Sequence, residues 1–138
     1  MKKILCALSM AMMSLAAQAN SVAIQNLLSN NIYVRFICIN PDGTIHHSAL
    51  TTLPPGGTNF INPTLIPGLA GIAAVNGQVI SCYGTCTPSN LLLGSPVFGS
   101  GAPPAQFVPA GNACNGNSFD MFWNEASAAP YNCAILIM

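Results

Sequence analysis

The chain has 138 residues, of which 51% are apolar and only 4% charged. Lys2 and Lys3 stand at its front, so from residue 20 onward a single strong base, Arg35, is set against Asp42, Asp120 and Glu125. No Lys/Arg cluster exists to neutralise phosphates, which excludes a basic nucleic-acid footprint and a polybasic membrane patch. With half its residues apolar the chain can bury a core, and one domain is the expected size.

"MKK" followed by the uncharged run "ILCALSMAMMSLAA" and then "AQA" has the three-part layout of a secretory signal. Cleavage is expected after Ala19, leaving residues 1–19 as signal peptide and residues 20–138 as one exported β domain, periplasmic or extracellular. The apolar run is shorter than the roughly 20 residues of a spanning helix, so no membrane span is expected after cleavage.

Short strand signals follow. "SVAIQN" (21–26) alternates around Val22 and Ile24. "NIYVRFICI" (31–39) puts Ile32, Val34, Phe36 and Cys38 on one face and Tyr33, Arg35, Ile37 and Ile39 on the other. "NPDG" (40–43) suits a type I turn with a glycine bulge, and "TIHHSAL" (44–50) returns as its partner strand. "TNFIN" (58–62) is a further strand. "GIAAV-NG-QVISCY" (71–83) reads as a hairpin closed by Asn76-Gly77. Residues 84–117 are rich in Gly, Pro, Ser and Asn, a stretch long enough to hide a short edge strand. "SFDMFWN" (118–124) and "YNCAILIM" (131–138) close the chain as two strands. Many short strands with frequent turns predict an all-β fold, a small antiparallel β-sandwich or partly open barrel.

In an oxidising compartment the default fate of Cys38, Cys82, Cys86, Cys114 and Cys133 is disulfide formation. Sequence leaves the connectivity open. The favoured pairing is a local Cys82–Cys86 staple over Tyr-Gly-Thr, with Cys114–Cys133 tying the long loop to the last strand. The longer of these loops adds roughly 3 kcal/mol on the chain-entropy model. Cys38 is then a buried free thiol. A thioredoxin-type site is disfavoured because three residues, not two, separate Cys82 from Cys86. A zinc site would need a second close pair of ligands.

Other candidate chemistry is thin. His46 and His47 are strand neighbours and point to opposite faces, so they cannot grip one ion together. If "NPDG" turns as expected, Cys38 lies across from His46, a candidate nucleophile dyad or half of a metal site. Asp120 and Glu125 flank "MFWN" and are the one carboxyl pair left for a carbohydrate-directed hydrolase. Phe122 and Trp123 are candidate contact residues. The uncharged runs "GIAAV", "QVIS" and "CAILIM" lack gatekeepers, so exposed edges of theirs would add strands from a partner or a second copy.

The Cys-x₃-Cys turn, "GAPP" (101–104), the Phe-Asp strand and the late Pro130 together resemble thaumatin-like proteins, across the last third of the chain alone. That resemblance implies an all-β secreted fold. The acidic cleft and the dense cysteine framework of that family are missing here.

The leading expectation is a small exported protein acting by surface contact, in binding or assembly at the cell envelope or outside the cell, without catalysis, cofactor or metal. Its partner is a protein, a second copy or a glycan. The alternative is a secreted hydrolase using Asp120 with Glu125, or Cys38 with His46.

Overall fold

The computed structural model describes residues 20–86, 97–99, 105–108 and 118–138. The expected signal peptide, "GAPP" and Cys114 lie outside these residues. Every regular element described is a strand, apart from one 3-10 turn at Pro63–Leu65.

The strands are β1 (Val22–Asn26), β2 (Ile32–Ile39), β3 (Ile45–His47), β4 (Thr51–Leu53), β5 (Gly56–Phe60), β6 (Gln78–Thr85), β7 (Val97–Gly99), β8 (Ala105–Val108), β9 (Phe119–Glu125) and β10 (Cys133–Ile137). One sheet runs β5-β1-β10-β9-β8, and the other runs β3-β2-β6-β7 with β4 also on β2. All pairings are antiparallel except β1 with β10, which run parallel from Val22 opposite Cys133 to Asn26 opposite Ile137.

The period-2 pattern decides which side chains enter the core. On β2, Ile32, Val34, Phe36 and Cys38 are wholly buried, while Tyr33, Arg35 and Ile39 are only half-buried on the other face. On β9, Phe119, Met121 and Trp123 turn inward. These residues form one apolar cluster with Val22, Ile24, Cys82, Cys133, Ile135 and Ile137, so both sheets contribute to the same core. Phe36 meets Phe60 edge-to-face, with ring centroids 6.0 Å apart.

The "NPDG" turn forms as its residues dictate. Gly43 N donates to Asn40 O, Gly43 takes φ +85°, and Asp42 Oδ1 accepts from Thr44 N. The register that follows puts Cys38 opposite His46. The return strand is split into β3 and β4. Between them the buried Ser48 uses its own Oγ to accept from Phe36 N at 2.8 Å, which keeps that central amide paired.

One expected strand and its turn differ. Residues 71–75 are not a strand, and Asn76-Gly77 is not a hairpin turn. A two-residue type I′ turn needs positive φ at both residues, whereas the positive-φ glycines here are Gly43, Gly56, Gly68 and Gly71. Residues 61–77 are instead an irregular loop that drops Ile66, Leu69 and Ala73 into the core. Of the runs offered as exposed edges, only one is wholly interior. "CAILI" is β10, between β1 and β9, and "QVIS" opens β6, between β2 and β7. "CAILI" has both sides of its backbone paired, but β7 covers only Ser81–Tyr83 of β6, so Gln78–Ile80 pair with β2 alone among the described strands, and the edge strands β3, β5, β7 and β8 all lack Asp, Glu, Lys and Arg. The long stretch 84–117 does contain two short strands, β7 and β8. Among the described residues no helix is long and apolar enough to cross a membrane, which says nothing of strands.

Candidate functional site

The cysteines come together differently from the sequence expectation. Cys82, Cys133 and Cys38 are all buried free thiols, so neither the Cys82–Cys86 nor the Cys114–Cys133 bridge is made. The physical reason is the strand. "SCYGT" lies inside β6, so four extended steps of about 3.3 Å separate Cys82 from Cys86, well past the ~7 Å limit for a disulfide. Gly84 is not a turn glycine. A Cβ there would lie 2.7 Å from Met121 Sδ, so its bare backbone makes room for a side chain of the opposite sheet. Cys38 is the buried free thiol expected of it.

None of the three thiols is an activated nucleophile. Burial pushes Cys38 up to about 11 from the ordinary 9.0, and raises Cys82 further. Cys133 is raised by burial first, then by the neighbouring Cys82 and by Glu125. The Cys38 Sγ contacts Ile39 O at 3.9 Å and packs beneath Gly77, while His46 Nε2 lies 3.2 Å from Asn40 Nδ2. Register brings Cys38 and His46 opposite each other, but each is committed to another partner, and no Cys/His dyad results. Native protein at pH 8 should therefore resist alkylation at Cys38, Cys82 and Cys133, and denaturant should expose all three. Between pH 9.0 and about 11 the unfolded chain loses thiol protons that the native chain keeps, so stability should fall as pH rises through that window and stay flat in this respect below it. Urea titrations at pH 8, 9.5 and 10.5 check the sign.

The carboxyl pair is not built either. Asp120 and Glu125 lie on one strand, five residues and about 16 Å apart and on opposite faces, beyond the spacing that either glycosidase geometry requires. Glu125 accepts from Trp123 Nε1 at 3.3 Å, and the Asp120 backbone pairs with that of Met138. Trp123 is 5% exposed and packs in the core opposite Ile135, so it is no contact residue, whereas its neighbour Phe122 is 37% exposed and faces outward. His46 and His47 do not converge on an ion, and among the described residues no group of three or more His, Cys, Asp or Glu side chains could hold a metal.

What the fold does assemble is an uncharged groove of about 610 Å³ at one end of the sheets. Asn20, Asn40 and Asn76 lie along it with Gln78, while Pro41 and Pro130 flank Tyr131. Two of the amides are structural. Asn20 Nδ2 donates to Asn76 O at 2.7 Å and Gly77 O at 2.8 Å, and its Oδ1 accepts from Tyr131 N at 2.8 Å. Asn40 accepts from Ala74 N and donates to Ile72 O, pinning the loop to the end of β2. Gln78 is half-buried, Asn76 is exposed and Tyr131 is 37% exposed, so these three are presented to a ligand. Sequence reasoning missed this site because its members come from four separated segments without a shared period. The only cue was that Asn, with Ser, Thr, Gly and Pro, stands where charged residues would be expected.

No family model, no curated protein and no solved structure matches this chain.

Proposed function

We propose that residues 20–138 act, after export, as a β-sandwich that works by surface contact with an uncharged partner and performs no catalysis. The observation that carries this reading is the groove: about 610 Å³, lined by amides, prolines and a tyrosine, with no acid or base among the described residues of its wall. Amides offer donors and acceptors together without the desolvation cost of a charge, and the Tyr131 ring gives a flat apolar surface. Such a lining suits a neutral polar ligand such as a glycan.

Export is supported by Asn20, the first residue after the expected cut. It is 5% exposed and already tied by its side chain to the β6 entry and to Tyr131, as a domain that starts at residue 20 requires. On this reading the disulfide staple falls to Cys86, and Cys114, outside the described residues, is by elimination the one cysteine of residues 20–138 left to pair with it. Cys86 is half-buried against the core and is not among the free thiols. Intact mass of the exported protein should give a chain beginning at Asn20 with one disulfide, and two bridges or an uncut leader would remove this part of the proposal.

The function itself is tested by titrating a panel of neutral oligosaccharides against the exported protein and following Asn76, Gln78 and Tyr131 by NMR. Tyr131→Ala should weaken the best ligand by about tenfold, the scale of a well-seated aromatic contact. Groove resonances that ignore every neutral probe, or an affinity indifferent to Tyr131→Ala, would overturn the reading.

A further inference from the structure

A second site, away from the groove, is marked by the one strong base of residues 20–138. Arg35 sits in the middle of β2 and points away from the core, because Val34 and Phe36 on either side of it are fully buried. β6 sets Tyr83 directly opposite Arg35, with Ser81 opposite Ile37 and Thr85 opposite Tyr33. On the other side, β4 brings Thr52 opposite Tyr33. Ile37 and Thr85 share this outward face, yet they are 9% and 0% exposed, so Arg35 lies in a recess rather than on an open surface. Its Nε is shielded from solvent and has no hydrogen-bond partner.

A shielded donor on a guanidinium calls for a counter-charge, and none of the three side-chain carboxylates of residues 20–138 supplies it. Asp42 is engaged with Thr44 in the β2–β3 turn, Glu125 accepts from Trp123, and Asp120 lies on the other sheet. Residues 87–118 contain no Asp or Glu at all. The missing counter-charge must therefore come from outside, and a guanidinium edge made of Nε and one terminal nitrogen matches the two oxygens of a carboxylate.

The surroundings narrow the ligand further. Around Arg35 the backbone of β2 is consumed by β6 on one side and by β3 and β4 on the other, so a peptide cannot add there as a strand. Only side chains remain to hold a ligand: two phenol rings and the hydroxyls of Ser81 and Thr52, which suit the face and the rim of a sugar. We infer that Arg35, between Tyr33 and Tyr83 on the outward face of the second sheet, anchors the carboxylate of an acidic saccharide of the uronic-acid type.

Arg35 is the one arginine of residues 20–138, so its Nε–H gives a single assignable NMR signal. The probes are an oligogalacturonate, its methyl ester, and a short peptide with a free C-terminal carboxylate, each added to the exported protein. The oligogalacturonate should shift the Arg35 Nε–H signal and bind at least about tenfold more tightly than the ester, with affinity falling as salt is raised. Arg35→Gln should weaken binding by a similar factor. Arg35→Lys should fail to restore it, because an ammonium keeps the charge without the fork. Tyr131→Ala should leave this binding intact, which separates it from the groove. An unmoved Nε–H signal, equal binding of acid and ester, or a response to the peptide in place of the saccharide would each overturn the inference. Should Arg35→Gln fail to fold, the acid–ester comparison on the unaltered protein decides alone.

Discussion

Trp123→Ala is expected to lower the free energy of unfolding by about 3–5 kcal/mol, while Phe122→Ala, one residue away, changes it by less than about 1 kcal/mol. The contrast follows from the pleat of β9. Trp123 turns inward beside Met121 and Ile135, and only 5% of it meets solvent. Removing the indole would leave a cavity between the sheets that relaxes only in part, and would strip Glu125 of the Nε1–H it accepts. Phe122 stands on the other face, 37% exposed, opposite Leu136 on β10 and Ala105 on β8. Its truncation loses cross-strand contact and opens no void. Urea unfolding of the two variants, at equal m-values, measures the difference. Equal costs would mean that the two side chains do not divide between core and surface, and the aromatic cluster would return as a candidate contact site.

That division was legible in the sequence because strand periodicity is a local property. The faces of 32–39 and 119–125 follow from alternation alone, and the β2–β3 turn follows from Asp42 and Gly43. What stayed hidden was whatever depends on the opposite sheet. Gly84 reads as a turn residue, yet it sits mid-strand because Met121 Sδ occupies the place of its Cβ. Once that turn is gone, so is the Cys82–Cys86 staple. Asn76-Gly77 carries a strong hairpin signal, but Ile66, Leu69 and Ala73 gain more from entering the core than a strand at 71–75 would supply. The groove could not be read because its amides converge only after folding.

The low charge and the high Asn content have one structural explanation. Buried or partly buried amides do here what ion pairs do elsewhere, satisfying donors and acceptors of the backbone at once. Asn26, 2% exposed, donates to Asn30 O and Leu53 O and accepts from Leu28 N. Asn132 Oδ1 accepts from both N and Oγ of Ser21. Asn20 and Asn40 secure the C-terminal part of the 61–77 loop, from Ile72 to Gly77, in the same way. Such ties carry no net charge to desolvate, and they are indifferent to salt and to pH over the range where carboxylates titrate. They leave Arg35 without an intramolecular counter-ion.

The 61–77 loop itself is docked through one close backbone approach, and there Gly68→Ala is expected to cost about 3 kcal/mol. Gly68 takes φ +81°, which an alanine adopts at a cost of about 1–2 kcal/mol. Its added Cβ would also fall 2.5 Å from Ala49 N and 2.8 Å from Ala49 Cβ. That amide donates to Pro67 O at 2.8 Å, so the loop cannot back away without breaking its own anchor between β3 and β4. Forced backbone shifts of this kind add roughly 1–3 kcal/mol. Gly71 supplies the internal control. It has a similar φ of +79° with nothing within 4 Å of its added Cβ, so Gly71→Ala should show the conformational cost alone. Because the loop delivers Asn76 to the groove wall, Gly68→Ala should also weaken any groove ligand, and Gly71→Ala should do so less. Equal destabilisation by the two substitutions would show that the contact with Ala49 does not hold the loop.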